Sequence, residues 1–168
     1  HNSVLDLANL ALTAERDHTL HSVLELMDRS EDNLRNQVDE RAETLDTFFS
    51  NLSDRDDENE PKRPADLANE LGELLRIPIR LTQEQLRQLA AGDDNLRAAL
   101  QSQIEQLFTA LMVSRVIGAI ERRLEEPLNL KPADLAGLSW QELTDQVNGA
   151  VESLYQQRFN RLLGEKGA

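Results

Sequence analysis

The chain has 168 residues and 39% apolar content, enough for one sizeable core or for a core with an extended arm. It contains no cysteine, which excludes disulfides and thiolate metal sites. Its net charge is −13, and residues 1–60 hold sixteen acidic against five basic side chains, which disfavours nucleic acid and anionic lipid surfaces as partners.

From Asn2 to Ser53 there is neither proline nor glycine, which predicts a single helix of about 51 residues, on the order of 75 Å long. Alternating steps of four and three from Leu20 reach Leu24, Met27, Glu31, Leu34, Val38, Arg41, Leu45, Phe48 and Leu52. All but Glu31 and Arg41 are apolar, the mark of a helix that lays a narrow seam along a partner. Leu20, Leu24, Met27, Leu34, Val38, Leu45, Phe48 and Leu52 are therefore the candidate interaction residues. The partner is either the rest of this chain or a second helix in an intermolecular coiled coil.

The acidic stretch Asp54–Glu60, closed by Pro61 and Pro64, predicts an exposed linker over 54–64 between an arm (1–53) and a body (65–168). Pro64 suits the first turn of a short helix running to about Arg76. Ile77-Pro78-Ile79-Arg80-Leu81 reads as an extended strap, because the residue before proline disfavours the helical region. Thr82 and Gln85 form a capping-box pattern for a helix through about Ala91, and Gly92 can stop it. Asp93 or Asp94 caps a helix to about Leu124, whose stretch Leu107–Ile120 is apolar on almost every side and reads as centrally buried. That stretch is too short for a membrane span, and Arg115 interrupts it. If the helix is central, Arg115 needs an internal partner or must snorkel to water.

After Pro127 the pattern repeats. Pro78 to Leu89 is echoed 49 residues later by Pro127 to Leu138, and Leu96, Ile104, Leu107 and Phe108 then match Leu143, Val151, Leu154 and Tyr155. Ser139 and Glu142 form the second capping box, and Gly164 is the expected stop. The repeated units would be 78–124 and 127–163.

Motifs that carry chemistry are missing. His18, His21 and Glu25 share a helix face but lack the HExxH arrangement of a zinc site, so they read as a solvated face. Asp56/Asp57, Asp93/Asp94 and Glu125/Glu126 fall in loops or at helix ends, where capping and solubility account for them. No serine elbow or phosphate-binding loop occurs. The expectation is a protein with no enzymatic activity, metal or cofactor.

Asp66-Leu67-Ala68-Asn69-Glu70-Leu71-Gly72-Glu73-Leu74-Leu75-Arg76-Ile77-Pro78-Ile79-Arg80-Leu81 resembles the helical wing region of SecA-type preprotein translocase ATPases. Thr82–Leu86 and Asn95–Leu100 continue in the same style, and residues 20–115 are covered. In that family a long scaffold helix precedes the wing, a place Asn2–Ser53 would take. The family's nucleotide-binding motifs, cross-linking domain and two-helix finger have no counterpart here, so no catalytic residue carries over.

These readings converge on an all-α protein: a long acidic helix followed by a compact bundle of about five helices. The resemblance implies a non-catalytic scaffold and wing segment that braces and relays domain motion within a translocation ATPase. It would be cytoplasmic, or peripheral at the inner membrane face through a partner. Because the sequence begins with His1, it reads either as an excised piece of a longer chain or as a chain carrying a tag scar. The rival expectation is a helical interaction module that forms a homodimer through the Leu20–Leu52 seam. Both readings require protein partners and neither requires nucleic acid or a membrane span.

Overall fold

A computed structural model describes residues 3–53 and 62–167. Among these the chain is all-α, with α1 Ser3–Ser53, α2 Pro64–Leu75, α3 Gln83–Ala90, α4 Asp94–Leu124, α5 Pro132–Leu135 and α6 Trp140–Gly167. The long first helix runs unbroken for 51 residues. Helix-averse threonines within it bond back to the preceding turn, Thr13 Oγ1 to the Asn9 carbonyl and Thr44 Oγ1 to the Glu40 carbonyl. Residues 54–61 of the expected linker lie outside the described residues, while Lys62 and Arg63 lead into α2 without helix.

Local chemistry sets the shorter elements. Pro64 opens α2, and Arg76 ends it in the left-handed region at φ 59°. The Ile77 N–H then donates to the Gly72 carbonyl and the Arg76 N–H to the Glu73 carbonyl, which satisfies the last carbonyls of the helix. A side chain at Gly72 would stand 3.1 Å from the Ile77 carbonyl oxygen, so glycine permits this close return of the strap. Both halves of the Thr82/Gln85 capping box form. Gly92 stops α3 at φ 65°, and Asp93 caps α4 by accepting the Asn95 N–H at 2.8 Å. The second box also forms between Ser139 and Glu142.

The described chain gathers into two compact units, one from residues up to Asn33 and from Ala110 onward, the other Leu34–Thr109. This grouping differs from an arm set apart from a body: α1 contributes to both units, because its seam is apolar along its length and each part is covered by neighbouring helices. In the first unit Val23 and Met27 pack with Val113, Val116, Ile120, Leu124, Leu128, Leu143, Val147, Val151, Leu154 and Tyr155. In the second, Leu45, Phe48 and Phe49 pack with Leu67, Ala68, Leu71, Leu75, Leu89, Leu96, Leu100 and Ile104.

Each unit follows the same plan, and the repetition reaches further than Pro78 and Pro127. Buried Leu67, Leu71 and Leu75 of α2 correspond, 49 residues on, to buried Val116, Ile120 and Leu124 of α4. The helix then ends on a left-handed residue in both cases, Arg76 at φ 59° and Glu125 at φ 57°. A proline strap, a short helix and a left-handed glycine follow, Gly92 in one unit and Gly137 at φ 76° in the other. The next helix buries Leu96, Leu100 and Ile104 in one unit and Leu143, Val147 and Val151 in the other. Thus α4 is the last helix of one copy and, in its second half, the first helix of the next.

Two sequence expectations are corrected. α6 continues through Gly164 to Gly167, so Gly164 is not its stop: a lone glycine costs a helix only about 1 kcal/mol, and a left-handed turn is not forced on it. Nor is Leu107–Ile120 buried all round. Leu107, Leu111 and Arg115 are exposed, because the cores take only one side of α4 at each point. Arg115 therefore reaches water and needs no buried partner.

Candidate functional site

The seam residues divide by burial. Met27, Leu34, Leu45 and Phe48 are buried, and Leu20, Val38 and Leu52 are half-buried. Leu24 is 42% exposed and stands outside the covered strip. Leu20 and Met27 belong to the first core, and Leu45, Phe48 and Leu52 to the second. These side chains are thus covered by their own chain.

Polar junctions supplement the apolar contact. In the first unit Tyr155 of α6 is fully buried, and its hydroxyl lies 3.0 Å from Thr19 Oγ1 and donates to Glu15 Oε1 at 2.8 Å. Burial pushes the Tyr155 hydroxyl pKa up, the Thr19 hydrogen bond opposes this, and Glu15 adds to the rise. Arg158, one turn on, donates to Glu15 Oε1 at 3.2 Å and to the Leu124 carbonyl at 2.9 Å, and its guanidinium lies over the Tyr155 ring. One cation thereby holds α1 and caps the C-terminus of α4, where the helix dipole favours positive charge. At the start of α6, Trp140 Nε1 donates to the Met27 carbonyl at 3.0 Å.

The second unit uses a different chemistry at the equivalent place. Phe108 occupies the position of Tyr155, and Arg41 lies over its ring at 4.4 Å. Arg41 Nη1 also donates to the Gln37 carbonyl, while its buried Nε has no acceptor among the described residues. This explains the polar break that Arg41 makes in the seam: its charge rests on an aromatic face and its Nη1 is held by a backbone carbonyl. Arg97 of α4 adds an ion pair to Asp46 of α1 at 3.0 Å.

A groove of about 460 Å³ opens in this unit beside the C-terminal half of α1 and α2, with Phe48, Leu52 and Leu74 as apolar lining and Glu40, Glu43 and Glu70 as acidic lining. His18 is not brought together with His21 and Glu25 at a metal site. His21 Nε2 pairs with Glu25 Oε1 at 3.1 Å on an exposed face, and no group of three or more potential ligands occurs among the described residues.

Sequence reasoning missed the Glu15–Thr19–Tyr155–Arg158 junction and the Trp140 anchor. Tyr155 offered one signal, as the polar counterpart of Phe108 in the repeat: a tyrosine at a core position needs a partner for its hydroxyl. Nothing local to Thr19 marks it as that partner, 136 residues away.

The chain matches no protein-family model, no curated protein and no solved structure in the comparisons made.

Proposed function

We propose that this chain is a non-catalytic scaffold and wing segment of a SecA-type protein-translocation ATPase, in which α1 braces the assembly and relays domain motion. The observation that carries the reading is α1 itself, continuous over 51 residues and followed by the Leu-rich α2 and the Ile77–Leu81 strap that bear the resemblance. A helix resists axial compression because each turn is tied to the next, so displacement at one end is transmitted to the other. Polar junctions at Glu15, Thr19 and Asp46 give the brace defined points of attachment.

The segment would work in the cytoplasm and meet the membrane through a partner. Among the described residues no helix is long and apolar enough to cross a membrane. The rival reading, a homodimer through the Leu20–Leu52 seam, is disfavoured because Met27 and Leu45 are fully buried by their own chain.

The test is the coding sequence upstream of His1 and, where a motor is encoded there, the behaviour of that whole protein. A phosphate-loop motor supports the reading, whereas a start codon immediately before His1 contradicts it. In the parent motor, Asn36→Pro breaks α1 at an exposed position and is expected to abolish preprotein movement while basal ATP hydrolysis persists. Undiminished translocation would refute the relay.

A further inference from the structure

The groove in the Leu34–Thr109 unit combines two features that a solvated surface does not need together. Its floor includes Leu74, which is 53% exposed although it lies on the short helix that supplies four buried core residues. Beside the neutral Thr44, Thr47 and Asn51, its charged lining is carboxylate only. Glu70 is held by Lys62, Glu40 has only Arg41 at 3.6 Å, and Glu43 has no cation among the described residues.

The internal repeat supplies a control for whether the fold demands this chemistry. The registers are fixed by paired contacts: Arg41 meets the ring of Phe108 as Thr19 meets Tyr155, and buried Leu45 and Phe49 correspond to buried Val23 and Met27. On that register, 22 residues along α1 and 49 along α2, Glu40 and Glu43 correspond to His18 and His21. Glu70 and Leu74 correspond to Ala119 and Arg123. The same architecture thus stands without the three carboxylates and without the exposed leucine. Their concentration in one copy is a property of that surface and not of the fold.

We propose that this groove docks a basic, amphipathic peptide segment of a partner protein, with large apolar side chains on Phe48, Leu52 and Leu74 and lysine or arginine heads on Glu40 and Glu43. The volume of about 460 Å³ suits one or two large side chains, within the range usual for binding pockets. The occupant is identified by charge complementarity: a neutral apolar ligand would leave Glu43 desolvated and unpaired, and an acidic one would be repelled.

The test uses fluorescein-labelled twelve-residue peptides that alternate pairs of lysine with pairs of leucine, titrated into the purified chain and followed by anisotropy. Saturable one-to-one binding is expected, and about tenfold weakening in each of Glu43→Lys and Leu74→Ser. Both side chains are exposed, so circular dichroism should show both variants folded. Arg29→Glu, at the corresponding surface of the other copy, is expected to leave the affinity unchanged. A peptide with glutamate in place of lysine should not bind. The proposal is overturned if the lysine–leucine peptide fails to bind. It is equally overturned if Glu43→Lys and Leu74→Ser bind it as tightly as the parent chain, because attraction would then come from the −13 net charge alone.

Discussion

Replacing Tyr155 by phenylalanine removes one oxygen from the centre of the first unit and leaves the ring in place. The hydroxyl serves Thr19 and Glu15, so the substitution removes a neutral bond at 3.0 Å and a charge-assisted one at 2.8 Å. Their full combined value, about 2–4 kcal/mol, is an upper limit. Glu15 is 55% exposed and still pairs with Arg158, so it regains water without a large penalty. Thr19 is buried but can turn its hydroxyl to the carbonyl one turn back, as Thr13 and Thr44 do. The expected loss is therefore about 1–2 kcal/mol. It should appear in urea unfolding followed by fluorescence of Trp140, the single tryptophan, which lies in the same unit. The pH dependence has a defined sign. A pKa raised above the unfolded value makes the contribution fully present below about pH 10 and lost as pH climbs through the folded value. The parent chain should therefore lose stability at alkaline pH more steeply than Tyr155→Phe. A loss below about 0.3 kcal/mol, or identical alkaline profiles, would refute the junction as a stabilising contact.

Arg76→Gly and Glu125→Gly should each raise the urea midpoint, because relief of a left-handed non-glycine residue, roughly 1–2 kcal/mol, exceeds the added flexibility of the unfolded chain. Leu45→Asp should cost more than about 3 kcal/mol in a thermal melt followed by circular dichroism, since it buries an unpaired charge, whereas Leu24→Asp should leave the melt unchanged. Sedimentation of the parent chain at high concentration should give a monomer. A dimer that dissociates in Leu24→Asp would revive the coiled-coil reading.

The helices were legible because their signals are local. The absence of breakers from Asn2 to Ser53, Pro64 at a first turn, the Thr82/Gln85 and Ser139/Glu142 boxes and Gly92 as a stop each act within a few residues. The seam was legible for the same reason, through its period. Which helices cover it was not, since that depends on pairings such as Trp140 with Met27, 113 residues apart. Apolar composition misled at Leu107 and Leu111, where hydrophobic side chains remain exposed because none of the described residues covers that side of α4. Gly164 misled because glycine permits a left-handed turn without requiring one. The repeat was visible in the straps, but its first helix was hidden: Leu67, Leu71 and Leu75 match a stretch of α4 that also continues the preceding copy. The groove escaped notice because Glu40, Glu43 and Glu70 resemble any other surface acids until folding sets them around Leu74.

The central claim, a continuous first helix covered by its own chain, is open to one direct measurement. The absence of cysteine allows spin labels to be placed at Asp17→Cys and Ser50→Cys, both on exposed turns of α1. Pulsed electron-spin distance measurements should give one narrow distribution near about 50 Å, the span of 33 helical residues, with no concentration-dependent component. A broad or shorter distribution would show α1 interrupted, and an added intermolecular distance would show its seam engaged with a second copy.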